Sequence, residues 1–156
     1  MLSKSAQNVQ EALHKMGLEF KVLELAESTR TANDAAETLG CMVGQIVKSL
    51  IFRTKQSNQP LLVLASGANR VNEKTIAHIV GEKIEKADAA FTREVTGFAI
   101  GGVPPVGHKK PLETLIDEDL LAFQEVWAAA GTPNAVFKLE PTALLNLTNG
   151  KVISIQ

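Results

Sequence analysis

The sequence predicts a mixed α/β fold on three observations. Short helical segments, opened by capping residues and closed by glycine, alternate with β-rich apolar runs. Hydrophobic residues make up 45% of the 156 and charged residues 21%, the balance of a chain that buries a core of its own. Repeats, charge blocks and low-complexity linkers are absent, so a single domain over residues 1–156 is expected.

Each element has its own local reason. Val9, Ala12, Leu13 and Met16 recur at helical spacing behind the capping candidates Ser3 and Ser5, and Gly17 supplies the stop. Residues 20–25 read as a strand. Thr31 then caps an alanine-rich helix over 32–39, with Asp34 three positions on and Gly40 after it. Residues 46–53 and 61–65 are two β-rich runs divided by the polar loop 55–60, the pattern of neighbouring central strands. Asn72 caps a helix that ends at Gly81, and a shorter helix over 88–96 ends at Gly97. Further strands are expected at 112–116, 125–129 and 135–139. Pro141 opens a last helix to Leu147, an Asn149-Gly150 turn follows, and the final four residues close a small strand.

Composition also excludes function classes. A net charge of -1 argues against a protein that grips a long DNA duplex through many phosphates. One cysteine, Cys41, cannot form an internal disulfide, and the opening residues lack the apolar run of a secretion signal, which together point to the cytoplasm. No apolar run approaches the roughly 20 residues that cross a bilayer, so no membrane role is expected. His14, His78 and His108 are scattered without metal-ligand spacing, so neither a metal nor a cofactor is expected. Cys41 has no basic neighbour and reads as an inert thiol.

Four places carry chemistry. Strand alternation puts Lys48 on one face with Ile46, Leu50 and Phe52, while Val47, Ser49 and Ile51 form the other, also largely apolar. That lysine either snorkels to solvent or lines a pocket where it holds an anionic or carbonyl oxygen. Residues 97–108 hold four glycines and two prolines, a backbone that is either a tight turn or a stiff loop presenting bare N–H groups. Asn69 and Arg70 follow an apolar strand and precede a helix, where α/β sheets build binding sites. Gly131-Thr132-Pro133-Asn134 is a rigid polar turn between two strands.

Four motifs in order carry a resemblance: Thr31-Ala32-Asn33-Asp34-Ala35-Ala36, Ile46-Val47-Lys48-Ser49-Leu50, Gly101-Gly102-Val103-Pro104-Pro105 and Ala130-Gly131-Thr132-Pro133-Asn134. Over nearly its whole length the chain resembles the YbaK/prolyl-tRNA editing family, which hydrolyses mischarged aminoacyl-tRNA. The resemblance implies a mixed, curled β-sheet flanked by helices around a pocket for the aminoacyl group and terminal adenosine. It implies Lys48, Gly101 and Gly102 as catalytic, with Lys48 gripping the acceptor end and the glycine N–H groups polarising the ester carbonyl. Thr31, Ser66, Asn69, Pro105, His108, Thr132 and Asn134 are the implied substrate-binding residues. The implied partners are an aminoacyl-tRNA acceptor end and an aminoacyl-tRNA synthetase. Some members carry histidine or aspartate in the late turn where this chain has Thr132-Pro133-Asn134, which leaves the amino acid removed open. The alternative is a non-catalytic module that binds a nucleotide, an aminoacyl-tRNA or a synthetase.

Overall fold

Helix ends follow the local code. The computed structural model describes residues 2–29 and 31–156, and its first helix, α1 (Lys4–Lys15), starts at Ser3, whose Oγ accepts from the Ala6 N–H. Thr31 caps α2 (Ala32–Leu39) through the Asp34 N–H at 3.1 Å, Asn72 caps α3 (Glu73–Val80), and Asp88 caps α4 (Ala89–Thr96). All three stop on left-handed glycines, Gly40, Gly81 and Gly97. The fifth helix, α5 (Pro141–Thr148), has proline in its first turn and ends on left-handed Asn149.

The strands are β1 (Val22–Glu24), β2 (Ile46–Thr54), β3 (Pro60–Ser66), β4 (Ile84–Lys86), β5 (Glu113–Asp117), β6 (Val126–Ala129), β7 (Ala135–Leu139) and β8 (Lys151–Ile153). They form one mixed sheet in the order β1-β7-β6-β2-β3-β5-β8, with β4 pairing β2 off that path. Pairs β2–β6, β3–β5 and β5–β8 are parallel, and the others are antiparallel. The expected mixed sheet with flanking helices is therefore present. Three details differ from expectation. The first strand is shorter than residues 20–25, because only Val22 to Glu24 find partners on β7. The last strand begins at Lys151, directly after the Asn149 turn, where parallel pairing to β5 fixes its start. The short β4 and the 3₁₀ turn Glu118–Ala122 were not foreseen.

Alternation along the central strands feeds two cores. Val47, Ile51, Leu62 and Leu64 pack with Val9 and Leu13 of α1, Val95 of α4 and Leu144 of α5 on one face. Phe52, Leu61, Val63 and Ala65 pack with Ile76 of α3 on the other. A third, smaller cluster joins Ile46 to Ala35 and Ala36 of α2.

Strand β2 has an interrupted outer edge. Its register with β6 covers only Ile46 and Val47, and its register with β4 covers only Phe52, Arg53 and Thr54. Between them the strand pairs with β3 alone. An Arg53–Glu85 ion pair at 2.8 Å, with the guanidinium 5.1 Å from the Phe91 ring, holds β4 at its end of the opening.

The loop after α4 closes over this opening and locks to the β6–β7 turn. Gly102 O accepts from the Gly131 N–H at 2.8 Å, and a Cβ on Gly102 would lie 2.9 Å from the backbone of Gly131 and Thr132. The neighbour there is main chain, which cannot swing aside. Gly102→Ala is expected to destabilise the protein by about 1–3 kcal/mol, read as a lower urea midpoint at unchanged m-value. An unchanged midpoint would mean the loop and turn are not packed this way.

Candidate active site

A cavity of about 300 Å³ lies at the interrupted edge. Its walls come from β2 (Ile46 to Leu50), from Thr31, Ala32 and Ala35 at the start of α2, from Trp127, Ala129 and Val136 of β6 and β7, and from Ile100, Gly101 and Val103 of the loop. Most of these side chains are apolar, so a polar group in the wall acts with little competition from water.

Lys48 is the third of the nine residues of β2, and its half-buried side chain lines this cavity. It occupies the face of Ile46 and Phe52 but falls between the patch covered by α2 and the patch covered by α3, which is how the strand tolerates a cation. Its Nζ donates to the carbonyl oxygen of Asn69. Desolvation lowers the Lys48 pKa from the ordinary lysine value, the nearby Arg70 cation lowers it further, and the Asp117 carboxylate opposes both.

Asp117 is the hub behind the lysine. It is 1% exposed, and its Oδ2 accepts from the Ser66 N–H at 2.9 Å and from Asn69 Nδ2 at 2.9 Å, while Oδ1 accepts from the Asp119 N–H at 3.0 Å. Asn69 Nδ2 also reaches Asp119 at 2.7 Å, and its Oδ1 accepts from Gln156 at 3.1 Å. The loop whose carbonyl holds Lys48 is thus fixed by a buried carboxylate.

Gly101 sits at φ +92°, and its N–H has no partner among the described residues, whereas the Gly102 N–H donates to Ala99 O at 3.0 Å. Of the two glycines named from the sequence, Gly101 lines the cavity with an uncommitted donor. Gly102, its donor engaged, serves the loop's shape.

The other named residues divide in two. Thr31 lines the cavity while capping α2, and Asn69 stands one hydrogen bond behind Lys48. Ser66, Pro105, His108, Thr132 and Asn134 lie outside the cavity's walls. Ser66 is 2% exposed and its Oγ donates to Gly44 O at 2.8 Å. His108 Nε2 bonds Pro104 O at 2.6 Å, and Pro105 shares the groove behind the loop with it; burial pushes the His108 pKa down, opposed by the hydrogen bond to Pro104. Asn134 Nδ2 donates to Leu25 O at 2.9 Å, its N–H donates to Thr132 Oγ1 at 3.4 Å, and the intervening Pro133 O accepts from Thr29 Oγ1 at 2.7 Å. That turn braces the segment carrying Thr29, which does face the cavity. Cys41 is half-buried and free, and burial raises its pKa.

A family model described as the aminoacyl-tRNA editing domain matches residues 26–147. The chain belongs to the aminoacyl-tRNA editing domain family. A crystal structure described as a candidate trans-editing enzyme for prolyl-tRNA synthetase shares 49% identity with this editing domain at TM-score 0.95, covering 100% of this chain and 99% of that one. YwhH of Bacillus subtilis is 32% identical over 95% of this chain and 94% of its own length. EbsC of Enterococcus faecalis, named as a candidate Cys-tRNA(Pro)/Cys-tRNA(Cys) deacylase, is 28% identical over 95% of this chain and 92% of its own. The proline–tRNA ligase of Limosilactobacillus fermentum matches at 32% identity over 74% of this chain but only 22% of that enzyme. The family and fold expected from the four motifs are borne out, as is the editing function that the family carries.

Sequence reasoning missed Asp117, Ser49 and Ile100. An acid ending the apolar run Leu115-Ile116-Asp117 was the available signal for the first, since a strand that buries both faces leaves no solvent for its last carboxylate. Asp117→Asn keeps the shape but cannot accept from all three N–H groups. It is expected to lower stability by roughly 1–3 kcal/mol in urea denaturation, because one buried donor loses its partner. Wild-type stability in that variant would contradict the hub.

Proposed function

We propose that this editing domain is a trans-acting hydrolase that removes the amino acid from mischarged tRNA by cleaving the ester at the tRNA 3′ end. One arrangement carries the reading: Gly101, whose N–H is uncommitted, and Lys48, whose ammonium is partly desolvated, line the same largely apolar cavity. An aminoacyl ester is already activated, so positioning and stabilisation of the developing oxyanion supply much of the rate. Gly101 donates to the ester carbonyl oxygen as negative charge grows on it. Lys48, held by Asn69 O, grips the acceptor end. Water adds to the carbonyl carbon, the C–O bond to the ribose breaks, and the products are the free amino acid and the tRNA 3′-terminal diol.

The relatives of like length support action apart from a synthetase, and the ligase match supports prolyl-tRNA synthetase as the partner in the same quality-control step. With a net charge of -1 the chain offers little general attraction for RNA, so contact is confined to the acceptor end and is transient. No helix among the described residues is long and apolar enough to cross a membrane, and we place the activity in the cytoplasm, with translation.

A panel of mischarged tRNAs tests this. Wild-type protein is expected to deacylate at least one member, and Lys48→Ala to lower kcat/KM roughly 100-fold. Intact tRNA across the panel, or full activity in Lys48→Ala, would contradict the reading. The pH profile supplies a sign. Because desolvation and Arg70 lower the Lys48 pKa, activity above the uncatalysed background should fall on the alkaline side sooner than an ordinary lysine would allow. Removing the cation in Arg70→Ala raises the Lys48 pKa, so the same limb should move to higher pH.

A further inference from the structure

Ser49 Oγ is, among the described residues, the buried side-chain polar atom with no hydrogen-bond partner. It stands where two cavities meet: Ser49, Leu50, Ile100 and Val103 line both the 300 Å³ cavity and a neighbouring one of about 180 Å³. An unpaired buried hydroxyl is destabilising, and such groups in native proteins call for an explanation such as a ligand that completes them. Three other polar side chains of the main cavity are engaged. Thr29 Oγ1 donates to Pro133 O, Thr31 Oγ1 accepts from the Asp34 N–H, and Lys48 Nζ donates to Asn69 O.

The Ser49 main chain adds a second acceptor. Ile51 O accepts from the Ala87 N–H at 3.0 Å, so the odd-numbered residues of β2 turn their backbone groups toward the outer edge. Ser49 is odd-numbered, and no strand lies opposite it, since pairing with β6 ends at Val47 and pairing with β4 begins at Phe52. Its carbonyl therefore points to the open edge, and its buried hydroxyl lies in the wall that the two cavities share.

An ester held with its carbonyl at the Gly101 N–H carries one strong donor beside that carbonyl, its α-ammonium. An ammonium drawn into an apolar cavity requires acceptors. We propose that Ser49 anchors the α-ammonium of the bound aminoacyl group through Oγ and its carbonyl oxygen, an inference that rests on the editing reading above. Lys48 shares the cavity wall but leaves the Ser49 acceptors free, because its ammonium donates to Asn69 O. The consequence is a selectivity: free aminoacyl esters are bound, and N-acylated ones, as in peptidyl-tRNA, are rejected. An acylated nitrogen is uncharged, has one hydrogen to donate, and carries extra bulk.

Calorimetric binding of amide-linked 3′-alanylamino-3′-deoxyadenosine and of its N-acetyl form reads this without turnover. Wild-type protein is expected to prefer the free amine at least about 10-fold. Ser49→Ala should bind the two within about 2-fold of each other, with a Tm unchanged or raised by roughly 2–4 °C because an unpaired hydroxyl is gone. Ser49→Cys, similar in shape but a weaker acceptor, should show the same loss of preference if the alanine variant does not fold. Equal wild-type affinities, no binding of either form, or a preference retained in the variants would overturn the proposal. A preference that depends on Ser49 in a protein that leaves mischarged tRNA intact would instead remove the hydrolase reading and keep the anchor. Deacylation without the preference removes the anchor alone.

Discussion

The interrupted pairing of β2 is the constraint on which the site depends. A strand in mid-sheet normally has both edges satisfied, yet β2 has β6 beside its first two residues, β4 beside its last three, and neither between. Closing that gap with more ladder would stabilise the sheet and abolish the cavity. The chain instead leaves the edge open and roofs it with the loop at Gly101, braced by the Gly131 turn. Binding geometry thus comes from rigid strands, and the one loop involved is locked main chain to main chain.

Polar groups survive in this apolar setting because each has a specific reason. Lys48 occupies a seam between two helix-covered patches and donates a hydrogen bond to the carbonyl oxygen of Asn69, a residue that Asp117 fixes in place. Asp117 is itself tolerable at 1% exposure because three N–H groups converge on it. Two groups are left without a protein partner, the half-buried Gly101 N–H and the buried Ser49 hydroxyl, and both residues line the cavity. Unsatisfied polar groups concentrated in one cavity are what a site awaiting a polar ligand looks like.

Local parts of the fold were legible in the sequence. Thr31, Asn72 and Asp88 cap their helices, and Gly40, Gly81 and Gly97 end them, because a cap needs only residues within one turn. The strand over 135–139 was readable from its apolar run alone. Ile84 to Lys86 was not, since three residues carry no period and become a strand only when the edge of β2 and the Arg53–Glu85 pair receive them. For the site, alternation marked Lys48 as out of place, and glycine density marked the loop. Neither could tell Gly101 from Gly102, because that difference is a hydrogen bond to Ala99. Nor could it reveal that His108 and Pro105 sit behind the loop, which depends on which side of the chain faces the sheet.

The account stands on the ester lying across the open edge of β2 beneath Gly101. Amide chemical shifts during titration with an amide-linked aminoacyl adenosine test that placement directly. The Gly101 and Ser49 amides should shift most, Lys48 should follow, and residues of the groove behind the loop, such as His108 and Leu112, should stay near their free values. Shifts gathered in that rear groove, with Gly101 and Ser49 unmoved, would contradict it.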